Sequence, residues 1–193
     1  MERIVLATGN KGKIREFERA FSHMNITCVS VKDIVDVPEP EETGTTFMEN
    51  AILKAKYYSE KTGLPCLADD SGLTVDALDG APGVYSARYA GVHGDDGANN
   101  EKLIRELQGK SDRTAHYVCA LALVQPDGDS VTAEASCDGE IQDTPVGTNG
   151  FGYDPYFFVP RFGKTMAELD IDTKETISHR GKALQELVAK VNK

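Results

Sequence analysis

The sequence predicts an α/β sandwich on a mixed, twisted, elongated sheet flanked by helices. Three observations lead there. Apolar residues recur at helical spacing in some segments and alternate in others. The chain opens with a strand-like apolar run that leads into a helical pattern. A long hairpin, Thr114–Val124 and Ser130–Cys137 around the turn Asp127-Gly128, argues against a purely parallel sheet.

Ile4–Ala7 is the first apolar run, followed by the loop Thr8-Gly9-Asn10-Lys11-Gly12-Lys13. Ile14, Phe17, Phe21 and Met24 then recur at spacings of three and four, which gives a helix. Ile26–Val29 reads as a second strand, and Val31–Glu42 is acidic and turn-rich, with Pro38 and Pro40. Thr46-Phe47-Met48-Glu49 has the pattern of a capping box and starts a helix running to about Lys61. On it Met48, Ala51, Ile52 and Ala55 share one face, while Asn50 and Lys54 share the other. Leu64–Ala68 is a short strand ending at Asp69-Asp70-Ser71-Gly72. Asp95–Leu107 is a helix capped by Asp95 or Asp96, and Leu184, Leu187, Val188 and Val191 mark an amphipathic C-terminal helix.

The 193 residues, 40% of them hydrophobic, suffice for one compact domain over 1–193, with no repeat or linker to divide it. No apolar stretch approaches the ~20 residues of a membrane span, and the apolar run after Met1-Glu2-Arg3 is too short for a secretory signal. A cytoplasmic location is expected. Cys28, Cys66, Cys119 and Cys137 show no C-x-x-C pairing and sit in apolar contexts, as buried reduced thiols would. The net charge is −10 with no basic run, which argues against a nucleic-acid partner.

Within this acidic chain a few segments carry chemistry. The Thr8–Lys13 loop places two glycines and two lysines at a helix start, where unpaired N–H groups and the helix dipole attract anions. An ordinary strand–turn–helix would use the same glycines. Asp69-Asp70-Ser71-Gly72 follows a strand, and alternation lets only one of the two aspartates face a given pocket. Glu41-Glu42-Thr43-Gly44 adds carboxylates, and a Glu with an Asp from different segments suits Mg²⁺. Gly147–Pro155 is a glycine-dense loop with exposed-looking aromatics able to stack on a base. Gly163-Lys164-Thr165 is not a P-loop, because Phe158 stands where its first glycine belongs. With Ser178-His179-Arg180 at the start of the last helix, His179 and Arg180 are adjacent donors and Lys174 adds a third cation there.

In order and nearly end to end, these segments resemble the inosine triphosphate pyrophosphatase family. The resemblance rests on Thr8–Lys13, Glu41–Gly44 through Glu49-Asn50-Ala51, Ala68–Gly72, Gly80–Tyr89, Gly150–Pro155 and Ser178-His179-Arg180. It implies an ITPase-like, anticodon-binding-like α/β/α fold with two lobes around a central cleft, and a homodimer. It also implies Mg²⁺-dependent hydrolysis of ITP, dITP and XTP at the α–β bond, giving the monophosphate and pyrophosphate. By position, Thr8, Gly9, Asn10, Lys11, Gly12 and Lys13 would cradle the triphosphate. Glu42 and Asp70 would hold the metal, with Asp70 also the proton acceptor, and Lys54 and Ser71 would touch the nucleotide. Phe151, Gly152, Tyr153, Asp154, Lys174, His179 and Arg180 would form the base and sugar end. The alternatives are a pyrophosphatase for pyrimidine or other modified triphosphates, against which Ser178-His179-Arg180 argues, and a non-catalytic nucleotide sensor, which could dispense with Glu42 and Asp70.

Overall fold

The structure, a computed structural model, describes residues 2–193. Its strands are β1 (Arg3–Leu6), β2 (Thr27–Ser30), β3 (Cys66–Val75), β4 (Thr114–Val124), β5 (Ser130–Ile141), β6 (Phe157–Val159) and β7 (Lys164–Thr165). The helices are α1 (Lys11–Phe21), α2 (Phe47–Thr62), α3 (Asp96–Leu107), α4 (Ile171–Ile177) and α5 (His179–Val191). The strands follow the sheet order β2-β1-β3-β4-β5-β6-β7. Parallel pairs at β1–β2 and β1–β3 and antiparallel pairs at β5–β6 and β6–β7 make the sheet mixed, as expected. The described residues divide into two compact units.

The first unit runs to Asp70 and adds Cys119–Ala135 and Ala183–Lys193. Ile4, Val5 and Leu6 are fully buried, as a strand covered on both faces requires. Alternation sends Ile4, Leu6 and Leu67 to one face, against Phe17 and Phe21 of α1 and Leu184 and Leu187 of α5. Val5 and Cys66 take the other face, with Val31 and with Tyr58 of α2. The second unit comprises Ser71–Val118 and Ser136–Lys182. Its core joins Leu73 and Val75 to Leu103 and Leu107 of α3, Tyr117 of β4, Ile141 of β5 and Phe157 of β6.

Three sequence expectations need correction. The strand predicted to stop at Ala68 continues through Asp69-Asp70-Ser71-Gly72 to Val75, because both aspartates are held from the helices beside it. On α2 the buried face is Phe47, Asn50, Ala51, Ala55, Tyr58 and Ser59, whereas Ile52 is exposed. Lys174 belongs not to the last helix but to the separate α4, which ends where Ser178 becomes extended and accepts from Gly181 N–H at 3.1 Å to start α5. The second hairpin strand also runs on to Ile141, and β6, β7 and α4 are additional. Lys164 and Thr165 form β7 and are followed by a single turn, Met166–Glu168, consistent with rejecting the P-loop. The four cysteines form no disulfide, and Cys66, Cys119 and Cys137 are buried. No helix among the described residues is long and apolar enough to cross a membrane.

Candidate active site

In the first unit, Asn10 caps α1. Its Oδ1 accepts from Gly12 N–H at 2.9 Å and Lys13 N–H at 3.1 Å, so two of the amides an anion would meet are already bonded. Thr8 is tied from both sides: Asn10 N–H donates to its Oγ1 at 3.1 Å and Ser30 Oγ to its carbonyl at 2.7 Å. Gly9, Asn10, Lys11 and Gly12 are exposed, which leaves the loop open to a ligand. The Lys32 side chain lies over Gly9 so closely that a Cβ there would sit 2.8 Å from its Cδ. Lys32 thus adds a cation at the loop that sequence reasoning missed; only its proximity reveals it.

Lys13 stands in the first turn of α1, where a cation opposes the helix dipole unless an anion lies beside it. Its Nζ pairs with Asp69 Oδ2 at 3.0 Å. Asp69 follows Leu67 onto the α1 face, and Asp70 turns to the opposite face, where Asn50 of α2 hydrogen-bonds it. Asn50 is itself fixed by Gly44 N–H, which donates to its Oδ1 at 2.7 Å and leaves its NH₂ for Asp70. Lys54 Nζ lies 3.2 Å from Glu42 Oε1 and donates to the Asp69 carbonyl at 2.6 Å. Lys54, Glu42 and Asp70 thus lie close together in the first unit.

Charge and burial compete here. Burial disfavours the Lys54 cation, yet Asp69, Asp70 and Glu42 together raise its pKa above the usual lysine value. Burial pushes the Asp70 carboxyl up from 3.8 to about 6, with Lys54 opposing the shift and Glu42 adding to it. Asp70 Oδ2 is buried and has no hydrogen-bond partner. A buried carboxylate oxygen without a donor, beside a second carboxylate, fits a hard divalent cation that takes oxygen ligands. Among the described residues no group of three or more His, Cys, Asp or Glu forms a ready metal cage. Mg²⁺ does not require one, since it keeps waters and uses one or two carboxylates plus substrate oxygens.

In the second unit, Ser71 follows on β3, half-buried. Phe151 is 61% exposed, its ring 5.5 Å from Lys174 Nζ. Asp154 is buried and accepts from Tyr117 Oη at 2.9 Å, Lys174 Nζ at 2.7 Å and Phe151 N–H at 3.2 Å. Gly150 has φ +77°, and a Cβ there would collide with Asp154 Oδ2, so this loop requires glycine. Gly152 has both backbone groups engaged by α3: its N–H donates to Asp96 Oδ2 and its carbonyl accepts from Asn100 Nδ2, each at 2.9 Å. Asp95, not Asp96, is the α3 cap. Tyr153 departs from expectation: it is buried, its hydroxyl donating to the Ser86 carbonyl at 2.6 Å, so it supports the loop from below. His179 stacks on Tyr117 at 4.9 Å and 19°, and Arg180 beside it is buried. Tyr117 and Asn100 escaped sequence reasoning because a lone polar residue in an amphipathic pattern gives no signal, and Asp96 was seen only as a possible cap.

The model of the Ham1 family matches residues 4–190. A dITP/XTP pyrophosphatase of Geobacter sulfurreducens is 53% identical over 186 residues, covering 95% of this chain and 94% of its own. One from Listeria monocytogenes serovar 1/2a is 51% identical over 189 residues, covering 97% and 93%. Among solved structures, a HAM1 protein from Coxiella burnetii superposes with a TM-score of 0.95 at 43% identity, covering 100% of this chain and 99% of its own. The Staphylococcus aureus Ham1 protein gives 0.93, also at 43% identity, covering 98% of each.

Proposed function

The chain belongs to the Ham1 family, and from that premise we propose that it hydrolyses non-canonical purine nucleoside triphosphates, ITP, dITP and XTP, to the monophosphate and pyrophosphate. Relatives at 53% and 51% identity named dITP/XTP pyrophosphatase support the substrate class. The observation that carries the chemistry is the unbonded, buried Oδ2 of Asp70 beside Lys54 and Glu42.

Thr8, Gly9, Asn10, Lys11, Gly12 and Lys13 receive the phosphates, with Lys54 offsetting charge that grows as the α–β bond breaks. Asp70 takes the proton of the attacking water, its buried and unbonded Oδ2 being the oxygen free to accept it. The new bond joins that water oxygen to the α-phosphorus, and the bridging oxygen leaves with pyrophosphate. Glu42 and Asp70 would hold Mg²⁺, which when bound would neutralise phosphate charge and acidify a nearby water. Phe151 offers a ring for the base, and Ser71 touches the nucleotide. Arg180, His179 and Lys174 aim donors at a 6-oxo group, where adenine carries a donor amine instead; Gly152, Tyr153 and Asp154 shape the loop. A cytoplasmic homodimer, with 1–193 as one functional domain, completes the reading.

Incubation with ITP, ATP and UTP, with and without Mg²⁺, tests it by product identification on anion exchange. IMP and pyrophosphate should form from ITP in preference to the other two, and only with the metal. Inorganic phosphate as the primary product overturns the proposal.

A further inference from the structure

Tyr117 is buried in the middle of β4, its ring 4.4 Å from Phe157 in the core of the second unit. Packing alone would be served by phenylalanine, since a buried hydroxyl is costly unless bonded. This hydroxyl is bonded: it donates to Asp154 Oδ1 at 2.9 Å. Asp154 Oδ2 accepts from Lys174 Nζ at 2.7 Å and from Phe151 N–H at 3.2 Å. Of the three donors, Lys174 sits on the seven-residue α4 and Phe151 in a loop, whereas Tyr117 is anchored mid-strand. The carboxylate plane is therefore set from the Oδ1 side, and Oδ2 is delivered to Lys174, whose Nζ then stands 5.5 Å from the exposed Phe151 ring. The ring of Tyr117 does a second task, lying nearly parallel to the imidazole of His179 at 4.9 Å and 19°.

We infer that Tyr117 is a positioning residue for base selection, holding the Asp154–Lys174–Phe151 group through its hydroxyl and the His179 plane through its ring. This rests on the proposed reading of those residues as the base end of the site. It adds a single buried side chain that governs both parts.

The two functions of Tyr117 separate by substitution. Tyr117→Phe keeps the ring and removes the hydroxyl, leaving a buried carboxylate oxygen without its donor. KM for ITP should rise about 10-fold, in the range for a lost hydrogen bond to a charged group, with kcat changed less than about 2-fold and the ITP-over-ATP ratio of kcat/KM falling. Tyr117→Leu should do the same and in addition shift the His179 ring resonances in aromatic NMR spectra, which Tyr117→Phe should leave in place. A role confined to packing would lower Tm while the ITP-over-ATP ratio stayed at its parental value in both variants, and that result overturns the inference. A parent enzyme with no preference for ITP would instead count against the function itself, before either variant is compared.

Discussion

At the scale of single residues, Asp70 shows how a site taxes the fold that carries it. Its carboxyl is buried on β3 with Oδ2 unbonded, and its pKa stands at about 6 rather than 3.8. Between those values the folded chain holds a proton that the unfolded chain releases, so this group's contribution to stability falls as pH rises from about 4 through 6. Above pH 6 the full deficit applies, roughly 3 kcal/mol for a displacement of this size. Asp70→Asn removes it. In EDTA, denaturant melts should find the variant more stable than the parent at pH 8, by up to that amount, with the gap closing towards pH 4. Its turnover with Mg²⁺ should nevertheless drop by at least ~10²-fold, as loss of a general base does. Asp69→Asn, whose side chain faces Lys13, should retain more activity. A parent that is the more stable protein at pH 8 without metal would contradict this account.

At the scale of elements, hydrophobic spacing located α1 and the C-terminal helix, each of which buries an apolar stripe of 3.6-residue period, while cap residues located α2 and α3. What the spacing could not show were polar residues buried for a purpose. Asn50 displaces Ile52 from the buried face of α2 because its amide bridges Gly44 and Asp70. Asp-Asp-Ser-Gly is poor strand sequence by propensity, yet β3 runs through it, since Lys13 holds one aspartate and Asn50 the other. The break between α4 and α5 was legible in principle, since Ser178 is a standard N-cap residue. His116 ties elements together. From β4 its Nδ1 meets Asp138 of β5 at 2.7 Å and its Nε2 meets Asp76, in the turn after β3, at 3.1 Å. The Asp138 hydrogen bond raises its pKa, assisted by Asp76. A histidine raised in the folded state stabilises most below its ordinary value near 6.5 and loses that contribution as pH climbs through the folded value. The Tm difference between the parent and His116→Gln should therefore be largest near pH 6 and shrink by pH 9. A difference that grows with pH would show that the two carboxylates do not clamp a protonated ring.

At the scale of the whole molecule, six motif blocks in order carry the family resemblance, while a net charge of −10 conflicts with a polyanionic substrate unless cations converge locally. The structure sharpens that conflict. Around the phosphate loop and β3, Lys11, Lys13, Lys32 and Lys54 stand among Asp69, Asp70 and Glu42. Four cations against three carboxylates leave this region close to neutral before any metal binds. The long-range field is therefore repulsive, and attraction depends on short contacts and on the cation that accompanies the nucleotide. Screening separates the two contributions. The Debye length is about 30 Å at 0.01 M salt and about 8 Å at 0.15 M, so physiological salt removes most of the distant repulsion and leaves close contacts largely intact. At fixed free Mg²⁺, kcat/KM for ITP should rise by roughly 2-fold between ~10 and ~150 mM NaCl, a small effect beside the 10-fold or greater gains of attractive steering. Glu60 and Glu134 are exposed and take no part in the site. The double variant Glu60→Gln, Glu134→Gln should begin from a higher kcat/KM at low salt and respond less to added NaCl. If kcat/KM falls steadily across the range in both proteins, the local lysines outweigh the acidic surface, and the net charge has no hold on association.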